Sequence, residues 1–411
     1  MHSEAVVLPR LRLVRPGERS PAAVRAQAER SARRTVATLS ISVALLTMAG
    51  LVMVLSASSV SAFARYGSSF LFFKRQLLYA VLGSAGLLVT SRIRYQAWQR
   101  AWVPLCGMTF LLLLLVLHPS VGTTVGGAAR WIQVGPVSLQ PSEFAKFTVV
   151  LACASILARN VKKLESEPAR WMVPLAVVVG GVSLLILLQP DLGTMMVIAL
   201  TAFVLLFVAG IRLRLLFTSA ALSTAVGLML IMGERYRRAR FLSFLHPWSD
   251  PQHTGYQIVQ SLIALGSGHL LGVGLGASRQ KWMYVPNAHT DFIFSILGEE
   301  LGLIGELIVL ALFGAMIYSG IRIAVRAPDA FGRLLAGGIT AWLGLQALIN
   351  LGAVTGMLPI TGVPLPFVSF GGSSLIVSLC AVGVLLSIGR AGLPTGTRAV
   401  GTKGREWRRG S

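Results

Sequence analysis

Carboxylates are scarce in this chain. It carries 15 Asp and Glu against 37 Lys and Arg over 411 residues, a formal charge of +22, and only 13% of its residues are charged at all. Soluble domains average about a quarter charged residues, so an ordinary water-facing surface is excluded. Cysteine is nearly absent: Cys106, Cys153 and Cys380 lie far apart inside apolar segments, which argues against a disulfide framework or a thiolate metal site. The six histidines show no metal-ligand spacing, and no Gly-x-x-x-x-Gly-Lys-Ser/Thr phosphate loop is present. Gly272-Val273-Gly274-Leu275-Gly276 has the look of a dinucleotide loop but lacks the full spacing and a βαβ context.

What is abundant is apolar sequence. Hydrophobic residues make up 54% of the chain and the mean hydropathy is +0.72, values of a polytopic membrane protein. The first apolar segment, roughly 36 to 55, is too long for a signal-peptide core and has no small-residue cleavage site, so it reads as a retained helix. Runs able to cross ~30 Å of hydrocarbon occur about ten times, near 35–58, 70–91, 101–117, 142–159, 171–188, 191–209, 213–232, 291–321, 334–356 and 372–390. The expected fold is all-α: a polytopic bundle of about ten transmembrane helices.

Charge then orients the bundle. Eight arginines precede the first span, and Arg390, Arg398, Lys403, Arg405, Arg408 and Arg409 follow the last. By the positive-inside rule both termini are expected in the cytoplasm, as basic disordered tails over 1–34 and 391–411 flanking a transmembrane domain at 35–390. Such tails favour anionic membrane lipids; without aromatic interleaving or a nucleic-acid motif, nucleic acid is not an expected partner. The even-numbered connections are short and basic, as cytoplasmic loops should be. The long connection 233–290, between the seventh and eighth spans, is expected outside. Its Arg235, Arg237, Arg238, Arg240, Arg279 and Lys281 form either a working surface for an anionic substrate or a patch that packs on headgroups.

Every unusual polar or Gly/Pro-rich stretch falls in an odd-numbered, extracytoplasmic connection. Nucleotide-activated donors are not available there. An enzyme at this face needs a substrate with its own activated bond, such as a lipid-linked diphospho-sugar.

Each motif admits two readings. Glu143 and Lys146, one turn apart after Pro141, make either an intrahelical ion pair or a site for a diphosphate or sugar hydroxyl. Gln189-Pro190-Asp191-Leu192-Gly193-Thr194 has the order of a tight turn. Pro364, Pro366 and Gly371-Gly372-Ser373-Ser374 suit a re-entrant bend with a serine cap. Asp291, between a polar loop and the apolar run Phe292-Ile293-Phe294, is either a helix N-cap or a general base, and the two roles are compatible. Glu299 and Glu300, two turns further in, point to a structural ion pair.

Taken together, Arg130-Trp131, Gln140-Pro141-Ser142-Glu143-Phe144-Ala145-Lys146, Gln189 to Thr194, Gly255-Tyr256-Gln257-Ile258-Val259-Gln260-Ser261, His289-Thr290-Asp291-Phe292-Ile293-Phe294, Glu299-Glu300-Leu301-Gly302 and Phe370-Gly371-Gly372-Ser373-Ser374 resemble the SEDS family (shape, elongation, division and sporulation) of cell-wall polymerases. The likeness covers nearly all of 36–390 and is closer to the division branch than to the elongation branch, through Phe73-Lys74-Arg75-Gln76 and Gly274 to Lys281. Asn287 departs from the usual Glu and Phe370 from the common Tyr.

The resemblance implies a peptidoglycan glycosyltransferase that polymerises lipid II onto an undecaprenyl-diphosphate-linked glycan during septal synthesis, in the inner membrane of a bacterium at the division septum. It implies Asp291 as the base that takes the acceptor hydroxyl proton, with Lys146, Arg130, Arg279 and Lys281 stabilising the leaving diphosphate. The matched motifs add Glu143, Trp131, Gln189, Asp191, Gln260 and Ser373 as substrate-binding candidates. A divalent cation, Mg or Mn, is compatible with the diphosphate chemistry, although no ligand set is visible. The implied partners are a class B penicillin-binding protein, an FtsI-like transpeptidase, and other divisome membrane proteins. This chain itself has no transpeptidase Ser-x-x-Lys in a suitable context. The rival readings are a lipid II flippase and a non-catalytic divisome scaffold; a flippase calls for important charges on both faces, a polymerase on the outer face alone.

Overall fold

The computed structural model describes residues 21–392 apart from 126, 127, 136, 165, 234 and 283. In chain order it runs α1 (Pro21–Tyr66), α2 (Leu71–Arg92), α3 (Tyr95–Leu117), β1 (Gly122–Val125), β2 (Ala128–Val134), β3 (Val137–Leu139), α4 (Pro141–Asn160), α5 (Ala169–Leu188), α6 (Leu192–Val208), α7 (Leu213–Met232), α8 (Arg235–Leu245), α9 (Tyr256–Ser267), α10 (Ile293–Val325), α11 (Ala330–Val354) and α12 (Gly372–Ala391). Eight of these helices, α1 to α5 and α10 to α12, are long and apolar enough to cross a membrane, and α6 and α7 contain shorter apolar stretches. The ten expected spans therefore all fall on helices. A helix closes its backbone hydrogen bonds within itself, which hydrocarbon requires.

Burial separates the bundle into centre and periphery. The apolar stretch of α4 is 83% buried, and α11 and α12 are close behind, whereas α2, α3 and α5 are each 22% buried and turn Leu82, Val103, Leu111, Val173 and Val177 outward. The core is therefore α4, α11 and α12, and the polar groups that matter lie on or against them.

Four features differ from the sequence reading. Residues 21–34, expected as part of a disordered tail, belong to α1, and they include good helix formers such as Ala22, Ala23, Ala28 and Glu29; residues 1–20 and 393–411 lie outside the described residues. The all-α class holds, with one addition: β1, β2 and β3 form a small antiparallel sheet in the connection before α4, with Thr123 opposite Trp131 and Gln133 opposite Ser138. Alternation over Ala128-Ala129-Arg130-Trp131-Ile132-Gln133-Val134 is short, and the neighbouring apolar helices mask it. The connection 233–290 contains α8 and α9, and Ser261 Oγ on α9 bonds both Ser295 Oγ (2.7 Å) and the Val354 carbonyl (2.6 Å), seating α9 against α10 and α11.

The fourth difference is a break in α10. Thirty-three helical residues would run ~50 Å, well beyond the hydrocarbon thickness. Gly302 interrupts them with φ +65° and ψ −169°, a conformation essentially restricted to glycine. The loop 269–274 crosses here: Val273 and Gly274 N–H donate to the Glu299 and Glu300 carbonyls (3.0 and 3.1 Å), and Leu303 N–H donates to the His269 carbonyl (3.0 Å). The first segment, 293–301, is buried throughout apart from half-buried Leu301, and the second is left to span.

Basic side chains gather at one end of the bundle. Arg390 Nη2 donates to the Ser91 carbonyl (2.5 Å), and Arg322 and Arg326 both donate to Ser31 Oγ (3.2 and 2.9 Å). Asp291, Glu143, Asp191 and Ser373 sit toward the other end, where α4, α6 and α12 begin and α11 finishes.

Replacing Gly302 by alanine should lower the unfolding midpoint in detergent, at a cost of ~1–3 kcal/mol, because the new Cβ would stand 2.4 Å from the Gly272 nitrogen. Gly314→Ala on the same helix meets nothing within 4 Å and should leave the midpoint unchanged. Equal melting of both variants would show that the break is not required.

Candidate active site

The polar end is organised by one face of α11. Trp342, Gln346 and Asn350 recur every four residues, so their side chains stack along a single stripe. Gln346 Oε1 accepts from Lys146 Nζ (2.8 Å) and from Trp342 Nε1 (3.0 Å), while Gln346 Nε2 donates to the Pro364 carbonyl (2.9 Å). One turn on, Asn350 Nδ2 donates to the carbonyls of Asp291 and Val363, 2.8 Å each. Two buried amides thus join α4, the 355–371 connection and the entry to α10.

On α4, Pro141 sets the first turn and Glu143 lies where the helix dipole favours an acid. Lys146 Nζ reaches Glu143 Oε1 at 2.8 Å, with both side chains at most 2% exposed, and lies 5.6 Å from the centre of the Trp342 ring. The pair is real, and it is not closed: Glu143 Oε2 has no protein hydrogen-bond partner. That oxygen is a buried acceptor left without a protein donor.

Asp291 closes a turn in which Asn287, at φ +55°, accepts at its carbonyl from Thr290 N–H (3.0 Å). The N-cap of α10 is Phe292, so Asp291 stands one residue before the cap and is not itself the cap. Its half-buried carboxylate looks onto Gly362, where a Cβ would lie 3.8 Å from Oδ2; φ of +72° at that glycine carries the connection past the acid. The preceding His289 is wedged between Phe72 (centroids 4.7 Å) and Phe370 (5.7 Å), and its carbonyl accepts from Phe370 N–H (2.9 Å). Burial, reinforced by the Arg65 charge, pushes the imidazole down to about 4, so it is neutral beside Asp291 at physiological pH.

The other sequence candidates fall into two further groups. At the α5–α6 turn, Arg130 donates to the carbonyls of Gln189 (2.9 Å) and Pro190, Gln189 Nε2 donates to the Leu113 carbonyl (3.3 Å), and Asp191 caps α6 through Thr194 N–H (3.2 Å) and Oγ1 (2.9 Å). Ser142 on α4 reaches Asp191 at 3.5 Å, which attaches this turn to the Glu143 pair. Ser373 accepts from Gln140 N–H (2.9 Å) and donates to the Ser138 carbonyl (3.1 Å), stitching α12 to the start of α4.

The second group clamps the break in α10. Glu299 accepts from Ser278 Oγ (2.5 Å) and from the N–H groups of Arg279 (2.8 Å) and Gln280 (3.3 Å); Glu300 accepts from Ser56 Oγ (2.6 Å) and faces Lys281 Nζ at 3.5 Å. Lys281 is buried in this ion pair and also donates to the Gly276 carbonyl, whereas the Arg279 side chain is exposed. Trp131 is half-exposed on β2 and Gln260 half-buried on α9, and no hydrogen bond ties either to Asp291 or to the Lys146 pair. Among the described residues no group of three or more His, Cys, Asp and Glu side chains is placed to hold a metal ion.

Sequence reading missed Trp342, Gln346, Asn350 and also Gln76. Gln76 is 1% exposed, donates to the Ser369 carbonyl (3.1 Å) and accepts from Gly371 N–H (3.4 Å), fixing the bend before α12. A detectable signal existed on α11, namely Trp, Gln and Asn at four-residue spacing in an otherwise apolar helix.

An apolar multi-pass bundle with buried ionic and amide groups converging at one end defines an integral membrane protein with a polar site. Residues 37–392 match the model of the cell cycle protein family that groups FtsW, RodA and SpoVE, and the chain belongs to that family. It is 45% identical to the probable peptidoglycan glycosyltransferase FtsW of Geobacter metallireducens, over 84% of this chain and 91% of that one, and 46% identical to the stage V sporulation protein E of Bacillus subtilis, over 85% and 95%. Among solved structures it resembles a chain of a peptidoglycan synthase complex that coordinates polymerization and crosslinking (TM-score 0.72, 30% identity, covering 87% of this chain and 98% of that one) and the rod shape determining protein RodA of Thermus thermophilus (TM-score 0.62, 30% identity, 86% and 95%).

Two outcomes follow. Lys146→Met leaves Glu143 buried without its cation and should cost ~3–5 kcal/mol, most of which the double variant Glu143→Gln/Lys146→Met should recover in thermal melts; a single variant as stable as the parent would contradict the pairing. For His289, the folded value lies below the ordinary 6.5, so stability falls as pH drops from about 6.5 toward 4. Between pH 7 and pH 5 the parent should therefore lose more stability than His289→Phe, and parallel losses would show that the ring is not buried neutral.

Proposed function

We propose that the chain is a peptidoglycan glycosyltransferase that polymerises lipid II, with Asp291 as general base. The carboxylate takes the proton of the acceptor GlcNAc 4-hydroxyl as that oxygen bonds to the anomeric carbon of the donor MurNAc. The bond from that carbon to the diphosphate oxygen breaks, and its electron pair leaves with the lipid diphosphate. A base needs only hydrogen-bond reach to the hydroxyl, and half-burial at the rim of the bundle provides it.

The observation that carries this reading is the double attachment of α11. Asn350 fixes the backbone at Asp291 and Gln346 fixes Lys146 one helical turn away, so base and cation belong to one polar site. The Glu143 oxygen left without a protein donor lies buried beneath this site and adds negative charge beside Lys146. Among the basic candidates, Lys281, Arg130 and Lys146 already serve Glu300, the α5–α6 turn, and Glu143 with Gln346, which leaves exposed Arg279 as the side chain that meets diphosphate charge directly. A divalent cation can share that charge when it is bound with the substrate.

The basic end of the bundle faces the cytoplasm under the positive-inside rule, which turns Asp291 outward. The likeness to a chain from a complex that couples polymerization to crosslinking supports a transpeptidase partner, of the class B penicillin-binding type. The high identity to FtsW and stage V sporulation proteins supports work at the division septum.

Asp291→Asn, reconstituted with its partner and purified lipid II, should remain folded and partner-bound while losing polymer formation at least ~10²-fold. Normal polymerisation by this variant would remove Asp291 from the mechanism. Translocation of lipid II across liposomes by the Asn variant at the wild-type rate, with no polymer from either protein, would favour a transporter instead.

A further inference from the structure

The basic end of the bundle holds a cavity that the polar site at the other end does not use. Its volume is about 370 Å³, and it is lined by Ser91 and Arg92 at the end of α2, Arg94 and Tyr95 at the start of α3, and Ser387 and Arg390 near the end of α12. At roughly 30 Å³ per water molecule, that is room for a phosphate and its glycerol ester.

Three guanidinium groups converge there without counter-ions. Among the described residues no carboxylate lies within 4 Å of Arg92, Arg94 or Arg390. The neighbouring acid, Asp329, is occupied by Tyr95 Oη (2.8 Å) and Gly332 N–H (2.7 Å). Arg390 spends part of its donor capacity on the Ser91 and Leu386 carbonyls, and Ser387 Oγ donates to the Ile93 carbonyl (2.7 Å). These bonds fix the walls of the cavity and leave the exposed Arg92 and Arg94 side chains unspent. The positive-inside rule explains why arginines stand at this end. It does not explain why three of them frame one concave space.

An apolar surface lies next to the cavity on α2. Leu88 and Val89, one turn before Arg92 on α2, are 53% and 57% exposed and offer an apolar flank beside the cationic opening. Phosphate-binding donors above an apolar strip describe the two parts of a phospholipid. We infer that the cleft between the ends of α2, α3 and α12 is a binding site for the phosphate headgroup of an anionic phospholipid, held by Arg92, Arg94 and Arg390. Occupancy would tie α2 to α12, the helix whose other end carries Ser373 and the bend beside Asp291.

The test measures lipid retention and does not depend on polymerisation. Full-length protein in nanodiscs of mixed phosphatidylglycerol and phosphatidylcholine is extracted into detergent, and bound lipid is counted by native mass spectrometry. Wild type should keep phosphatidylglycerol in excess over phosphatidylcholine. The triple variant Arg92→Gln/Arg94→Gln/Arg390→Gln should lose that preference at least ~10-fold. Ala391 also lines the cavity, so Ala391→Trp fills it with every charge in place and should also lose the preference, which keeps the inference testable if the triple variant misfolds. Unchanged retention in folded Ala391→Trp would overturn the site, and displacement of phosphatidylglycerol from wild type by millimolar inorganic phosphate alone would assign it to free phosphate instead of lipid.

Discussion

An ammonium group inside a membrane bundle must be met by acceptors, and Lys146 is met by two: the Glu143 carboxylate and the Gln346 amide oxygen. Much of the polar end follows from this requirement. Gln346, having given its oxygen to Lys146 and Trp342, turns its nitrogen to the Pro364 carbonyl and so fixes the connection that passes Asp291. Asn350 repeats the device a turn away for Asp291 and Val363. A buried ion pair is weak evidence for stability, since desolvation offsets most of its attraction. What it provides here is position: α4, α10 and α11 are held in one register by groups that have nowhere else to bond.

The same logic governs the second acidic pair. Glu299 and Glu300 lie just before the Gly302 break, and their carboxylates are satisfied by residues 278–281, which follow the crossing loop, and by Ser56 of α1. The clamp lets a buried half-helix lead from Asp291 to the spanning segment, so the acid stands on a rigid support at the end of a long connection. Backbone irregularity at membrane depth is tolerated where protein buries it, and this is such a place.

The helical architecture was legible in the sequence because hydropathy integrates over about twenty residues and tolerates local error. The Glu143–Lys146 pair was legible too, since Pro141 sets the helix register and the two residues are three apart. Asp291 stood out as an acid between a polar loop and an apolar run. The partners that make these residues a site did not stand out, because Lys146 and Gln346 are 200 positions apart and Asp291 and Asn350 are 59 apart. Residue type alone also could not show that folding gives Lys281 the Glu300 carboxylate and Arg130 two turn carbonyls as partners. The break at Gly302 was hidden because the apolar pattern resumes on both sides of Glu299, Glu300 and Gly302, and the short sheet before α4 lay between stronger helical signals.

The central claim is that α11 holds the acid and the cation in working geometry, and Asn350→Leu tests it most directly. The variant keeps the number and branching of the side-chain heavy atoms and removes the amide that fixes the backbone at Asp291. In the folded, partner-bound protein, polymerisation kinetics should show kcat lower by ~10–100-fold with KM for lipid II unchanged, because a displaced base slows the chemistry without altering how the donor is held. Wild-type kcat in that variant would contradict the claim.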